Sequence, residues 1–214
     1  MRIGILGSGL MGAKLGTLFA RVGHRVTFSY SHDFRKLEKL ARDAGRNARA
    51  GTPAEAADGA DAVLLAVHWS RVDDVLKKAG SLAGRTLITC TLPMSNDDDH
   101  LVVGFKTSGA EIVARKRPRA HVVSAFGASP SEAFFPVFDR RRSKMRPQLA
   151  YCGDHAGAKR RAATLLRDVG FEAVDVGGLA MARHLEPFTM VIAALAYSGK
   201  GSQALTYRFE RLKR

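Results

Sequence analysis

Six residues near the start, Gly7-Ser8-Gly9-Leu10-Met11-Gly12, have the types and spacing to hold a pyrophosphate. They fit G-x-G-x-x-G, in which the first glycine permits a tight turn and the second lets the backbone approach the anion. The third lets helix and strand pack closely. Unpaired N–H groups and the dipole at a helix N-terminus favour negative charge there. The pattern alone is widespread. Here it follows an apolar strand with Ile3, Ile5 and Leu6 and precedes a helical stretch from Ala13 to Val22, the context that the dinucleotide-binding reading requires.

Which dinucleotide fits turns on the end of the second strand, Arg25-Val26-Thr27-Phe28-Ser29. Sites for NAD carry Asp or Glu there to bind the ribose hydroxyls. This strand ends Tyr30-Ser31-His32 with no acid at its tip; Asp33 comes late, and Arg35 and Lys36 follow on the next helical turn. A hydroxyl beside cations suits a 2′-phosphate, which brings both charge and acceptor oxygens. Ser31, His32, Arg35 and Lys36 are therefore read as the NADP-selecting group. A solvated helix face is a plausible alternative for one of the two cations.

Other candidates sit at strand ends, where open parallel sheets bind ligands. The apolar run Ala62–Val67 suits a strand buried on both faces, and His68-Trp69 ends it. His68 is a candidate beside a nicotinamide, while Trp69 either walls the site or covers the core from a helix start. Leu92-Pro93-Met94, after the strand Thr86–Cys90, forms another ligand-facing loop. Asn96-Asp97-Asp98-Asp99-His100 is acidic, but three consecutive aspartates cannot all face one ion, so no metal is expected. No residue is singled out as catalytic. Cys90 and Cys152 make neither a metal-binding spacing nor a disulfide framework and are read as buried thiols.

The scaffold for these loops follows from periodicity and caps. Phe34, Leu37, Leu40, Ala41 and Ala44 recur at helical spacing up to about Gly45. Thr52-Pro53-Ala54-Glu55 is a capping box that opens a short helix, and Ser70 to Ala79 is helical. His121–Phe126 is a strand; Ala133 to Arg146 reads as irregular, a mobile excursion or part of an interface. Gln148–Cys152 is a strand, Ala156–Val169 a helix capped by Asp154, and Phe171–Val176 a strand. From Ala180 to Tyr197 the chain is helical and apolar, interrupted by Pro187. This alternation predicts an α/β fold: a Rossmann, doubly wound, mainly parallel sheet with helices on both faces and a small helical C-terminal part. Residues 1–147 form the NADP-binding domain and 148–214 the C-terminal part, with a soft boundary that also allows one compact unit.

The 214 residues are 46% hydrophobic and 25% charged, as in ordinary globular proteins. No apolar run is read as long enough to span a bilayer, and no signal peptide is read at the start, so a cytoplasmic location without membrane contact is expected. The 34 Lys and Arg against 20 Asp and Glu give +14. The bases cluster at Arg115-Lys116-Arg117-Pro118-Arg119, at Arg140-Arg141-Arg142 with Lys144 and Arg146, at Lys159-Arg160-Arg161, and at Arg208, Arg211, Lys213 and Arg214. Nucleic acid, anionic cofactors or an acidic partner each fit such a charge. Without aromatic interleaving or a zinc or RNA-recognition signature, nucleic acid is not expected. The apolar terminal helix fits either a subunit contact or the domain core.

With these pieces in place, the chain resembles the coenzyme F-420-dependent NADP oxidoreductase family, in particular its bacterial members, nearly end to end. The likeness rests on the glycine loop, Ser31, Leu65-Ala66-Val67-His68-Trp69, Thr107-Ser108-Gly109-Ala110-Glu111 and Val122-Val123-Ser124-Ala125-Phe126. It continues through Cys152-Gly153-Asp154, Asp175-Val176-Gly177-Gly178-Leu179 and Ala182-Arg183-His184-Leu185-Glu186-Pro187. The resemblance implies a homodimer, formed through the C-terminal helices, and hydride transfer between NADP(H) and the deazaflavin ring of coenzyme F-420 or a flavin-like acceptor. It implies that Gly7 to Gly12 hold the pyrophosphate and Ser31 the 2′-phosphate. Val67, His68 and Trp69 would edge the nicotinamide, and Ser124, Ala125, Phe126 and Gly127 would line the ring-binding cleft. The same domain type occurs as the cytosolic part of membrane metalloreductases.

The chain departs from the family pattern in three places. His32 stands where Arg is common after the serine, so the phosphate grip leans on Arg35 or Lys36. His68-Trp69 replaces Pro-Trp, and Ser124-Ala125-Phe126-Gly127 replaces Lys-Ala-Phe-Asn. Two other functions compete: an NADPH-dependent dehydrogenase of a small substrate, and a non-enzymatic NADP-binding redox sensor. The first usually needs a longer helical domain with a catalytic lysine, and Lys200 is the only lysine near the C-terminal helices.

Overall fold

The computed structural model describes residues 1–199 and 201–212; Lys200 and the tail cations Lys213 and Arg214 lie outside the described residues. In chain order the elements are β1 (Arg2–Leu6), α1 (Leu10–Arg21), β2 (Arg25–Ser29), α2 (Phe34–Ala44), β3 (Ala48–Ala50), α3 (Pro53–Ala57), β4 (Ala62–Leu65) and α4 (Val72–Ala79). They continue with β5 (Thr86–Thr89), α5 (Gly109–Lys116), β6 (His121–Ser124), α6 (Phe134–Asp139), β7 (Gln148–Gly153), α7 (Ala156–Val169), β8 (Glu172–Asp175) and α8 (Ala182–Tyr197).

The strands form one sheet in the order β3-β2-β1-β4-β5-β6-β7-β8. Neighbours are parallel except β6 and β7, which pair antiparallel with Ser124 opposite Cys152. The expected α/β, mainly parallel, doubly wound fold is the one observed. Helix α1 packs with α2, α6 and α7, while α3 packs with α4 and α5 with α8. The sheet is buried on both faces, so β4 and β5 are buried at every position, as their unbroken apolar runs require. The order of β1 and β4 places a topological switch point between their carboxyl ends, beside the glycine loop.

The structure corrects four readings of the sequence. Ala133 to Arg146 is not an irregular excursion throughout: a 3-10 turn (Ser131–Ala133) leads into α6, whose Phe134 and Phe138 are buried in the core. Helix α7 is capped by the His155 side chain, which accepts from Ala158 N; Asp154 accepts from Leu179 N instead. Helix α8 runs unbroken through Pro187, which lies near its start. The segment Leu179–Tyr197 does reach the length and apolar composition of a membrane-crossing helix, with 39% of its most apolar window buried. Its first turn is the 3-10 helix Leu179–Met181, and Leu185, Ile192 and Ala196 pack inward while Val191 and Leu195 are exposed.

Two elements escaped the sequence reading. The short β3 extends the sheet beyond β2. Helix α5 has a legible start, since the Ser108 side chain accepts from Glu111 N, and Ser-x-x-Glu is a capping signature.

Candidate functional site

Strand β1 delivers the chain into the glycine loop. Gly7 has φ +107, a left-handed conformation that disfavours a side chain, and a Cβ there would collide with Ala66 O at the end of β4. A Cβ at Gly12 would collide with Gly7 O. Both glycines are thus required by the loop itself. Gly9 is different: its backbone is extended, it caps α1 without a side-chain hydrogen bond, and a Cβ there would meet nothing within 4 Å. Neither packing nor conformation demands glycine at this point, so the open space lies on the ligand side, over the start of α1. No acidic residue occupies the first turn of α1, which leaves its N–H groups and dipole available to an anion. Ser8 Oγ donates to Ser29 O at 3.0 Å and ties the loop to β2.

At the tip of β2, Tyr30 is left-handed, with φ +64. Its hydroxyl donates to Asp74 at 2.7 Å and Lys78 lies over its ring; burial first, then the Asp74 hydrogen bond, push the phenol up to about 12. Ser31, His32, Arg35 and Lys36 follow, all exposed. Asp33 accepts from Arg35 N as the N-cap of α2. That answers the late acid in the sequence: its carboxylate serves the helix. The Arg35 side chain approaches Asp33 at 3.7 Å and is 92% exposed, while Lys36 has no ion-pair partner among the described residues.

From the glycine loop a cleft of about 470 Å³ runs across the carboxyl ends of β4 and β5 to the loop after β6. Leu10, Met11, Val67, Leu92, Met94 and Pro130 give it an apolar lining, and Ile192 and Tyr197 of α8 form the far wall. His68 lines it as expected. Its Nδ1 accepts from Ser70 N, which leaves Nε2 to carry the proton toward Ser95 O and Asp98, both 3.2 Å away. The ring thereby pins the loop after β5 to the end of β4. Trp69 opens a 3-10 turn and packs against the core; it is not among the cleft-lining residues.

The stretch Ser124–Gly127 divides. Gly127 lines the cleft. Ala125 and Phe126 do not: both are buried, and Phe126, left-handed at φ +69, turns its ring into the core edge-to-face with Phe19 and Phe134. Ser124 lines a small polar recess behind the cleft with Thr89, Thr189 and Glu186.

In the sequence Glu186 stands out only within the stretch Ala182–Pro187; in the structure it has a distinct role. It is 3% exposed and takes hydrogen bonds from Gly109 N at 2.8 Å and Ala110 N at 2.9 Å, capping α5 from a different helix. Burial pushes its carboxyl up to about 7, against those two N–H donors. One turn earlier, Arg183 donates twice to Glu111, whose carboxyl it holds below the usual range. These two contacts set α8 as the wall of the cleft. At its other end the Tyr197 hydroxyl donates to Glu132 at 2.9 Å, and Lys14 of α1 reaches both Ser131 and Glu132.

Asp97, Asp99 and His100 bring ligand atoms within 4.8 Å of one another on the exposed loop. The sequence objection, that consecutive aspartates cannot converge, holds for Asp98, which faces His68. The thiols of Cys90 and Cys152 are buried, and burial pushes each up to about 12.

Residues 2–93, from β1 through β5, match the family NADP oxidoreductase, coenzyme F-420-dependent. Over 185 residues, 86% of this chain, it is 28% identical to the rat (Rattus norvegicus) metalloreductase STEAP3. It spans only 36% of the length of that protein. Among solved structures, a candidate F-420-dependent NADP-reductase of Arthrobacter sp. FB24 superposes with TM-score 0.85 at 24% identity, covering 99% of this chain and 100% of the other. A hypothetical protein of Sinorhizobium meliloti gives 0.74 at 25%, covering 85% and 88%. The Aspergillus terreus reductive aminase, in complex with NADPH and ethyl-5-oxohexanoate, gives 0.62 at 18%, covering 91% of this chain and 61% of the other; it shares the fold. The resemblance read from the sequence is thus found again over residues 2–93, and along the whole chain the likeness is one of fold.

Proposed function

We propose that this chain transfers hydride between NADP(H) and a deazaflavin, coenzyme F-420, or a flavin-like acceptor. The observation that carries the reading is the cleft itself, a main-chain anion cradle continuing into an apolar slot of about 470 Å³ that no lysine among the described residues lines. Direct hydride transfer between two planar rings needs stacking and exclusion of water more than it needs acid–base groups. The open space at Gly9 and the uncapped start of α1 fit a pyrophosphate. Gly7, Ser8, Gly9, Leu10, Met11 and Gly12 would hold it, and Ser31, His32, Arg35 and Lys36 would take the 2′-phosphate. NADP(H) supplies the hydride when bound. Val67 and His68 would edge the nicotinamide, and Met94, Gly127, Ile192 and Tyr197 would orient the acceptor and keep solvent out.

A second reading, a dehydrogenase of a small substrate, draws on the His68–Asp98 couple as a proton source at the cleft. One assay separates the two. Purified protein with NADPH is titrated with coenzyme F-420, then FMN, then a metal chelate, the acceptor type that the metalloreductase relative's name suggests, while NADPH oxidation is followed. Oxidation is expected with the deazaflavin. Turnover with FMN alone would remove the deazaflavin from the proposal, and turnover with none would favour an NADP-binding sensor. Tighter binding of NADH than NADPH would overturn the roles given to Ser31, Arg35 and Lys36.

A further inference from the structure

Behind the Ser131–Ala133 turn lies a second cavity, of about 400 Å³, that shares no lining residue with the cleft. It is enclosed by α6, the loop leading to β7 and the segment Ala204–Arg208. Among the described residues three arginines line it, Arg140, Arg146 and Arg208, and no acidic residue does. Its apolar part comes from Pro136 and buried Val137 of α6 and from half-buried Tyr207. The wall from the tail is fixed: Gln148 N donates to Tyr207 O at 2.9 Å, and Ala150 N donates to the Tyr207 hydroxyl at 3.0 Å. Arg208 is engaged by Glu172 and Arg146 O. Arg140 and Arg146 have no ion-pair partner among the described residues.

We propose that this cavity is a second binding site, for a small amphiphilic anion: a phosphate or carboxylate head on an apolar body. The volume falls in the range of small-ligand pockets, roughly 300–1,000 Å³. Guanidinium groups present forked donors that match both head groups, and the buried aliphatic and aromatic surface rewards an apolar body. Arg140 and Arg146, without ion-pair partners among the described residues and beside Arg208, repel one another over an apolar floor, and a bound anion relieves that repulsion. The site also gives a role to the Arg140–Arg146 cluster that the cleft leaves unused.

The test is calorimetric titration of the whole chain with 1-naphthyl phosphate, in saturating NADP+ to occupy the cleft. Inorganic phosphate and 1-naphthylmethanol, offering head or body alone, serve as comparisons, and decanoate as the carboxylate arm. Tighter binding of 1-naphthyl phosphate than of either half is expected, with R140E/R146E weakening it by at least about ten-fold. R140Q/R146Q gives a milder variant of the same surface, and thermal unfolding checks that each is folded. The charge-matched control R42E/R46E, on and just beyond α2, should bind as the parent does. Equal loss in that control would reduce the effect to net charge and overturn the proposal. So would competition between 1-naphthyl phosphate and NADP+, or no binding at millimolar ligand.

Discussion

On the α1 side of the cleft, what is offered to a ligand is main chain: the N–H groups of a helix start, and a loop whose shape two glycines dictate. On the α8 side it is side chain: Ile192 and Tyr197 on a helix held in place by Glu186 and Arg183. The first side is assembled within one β-loop-α unit and tolerates almost no substitution at Gly7 and Gly12. The second is held by contacts between residues more than seventy positions apart, and a wall residue such as Ile192 could be another apolar residue of similar size. On the proposed function, backbone would meet the anion of the nucleotide, and side chains would meet whatever distinguishes one acceptor from another.

The sharpest way to break this comparison is at Gly12. Gly12→Ala puts a Cβ into Gly7 O, and we expect NADPH affinity, measured by fluorescence titration, to fall at least ~1,000-fold, about 4 kcal/mol. Unchanged affinity would mean that the loop shape is not what holds the nucleotide. Next comes the α8 side, through pH. The folded state raises Glu186 from 4.5 to about 7, so protonation favours the folded form. That stability is complete below the ordinary carboxyl value and is lost as pH rises through 7, with an upper size of roughly 3 kcal/mol. Denaturant unfolding between pH 5 and 8.5 should show the decline, and Glu186→Gln should flatten it; a parallel decline in the variant would refute the assignment. The smallest effect is expected at the tip of β2. Arg35→Ala with Lys36→Ala should cut the preference for NADPH over NADH about ten-fold by removing charge-assisted hydrogen bonds, leaving NADH binding unchanged.

The same contrast explains what the sequence could disclose. The glycine loop and the buried strands β1, β4 and β5 were legible because their chemistry is local: a spacing, a continuous apolar run, a capping box at Thr52. His68 lines the cleft because it sits at a strand end, a position that parallel topology makes meaningful. Ala125 and Phe126 were misplaced because strand periodicity cannot reveal a left-handed residue, and one such residue returns the Phe126 ring to the core. Trp69 was open to two readings, and packing chose the core. Asp154 and His155 are adjacent possible caps, and which one serves α7 depends on Leu179, far along the chain. The role of Glu186 was not legible by any local rule, since its partners are the N–H groups of another helix. A buried glutamate on an apolar helix was the available signal.

The return of α8 to the cleft also bears on the order in which the site comes into being. The anion cradle and its neighbouring strands are complete by residue 93, whereas the opposite wall waits for residues 189–197. During synthesis from the N-terminus, the glycine-loop side of the cleft is therefore made first, and the cleft is closed on its far side only when the last helix docks.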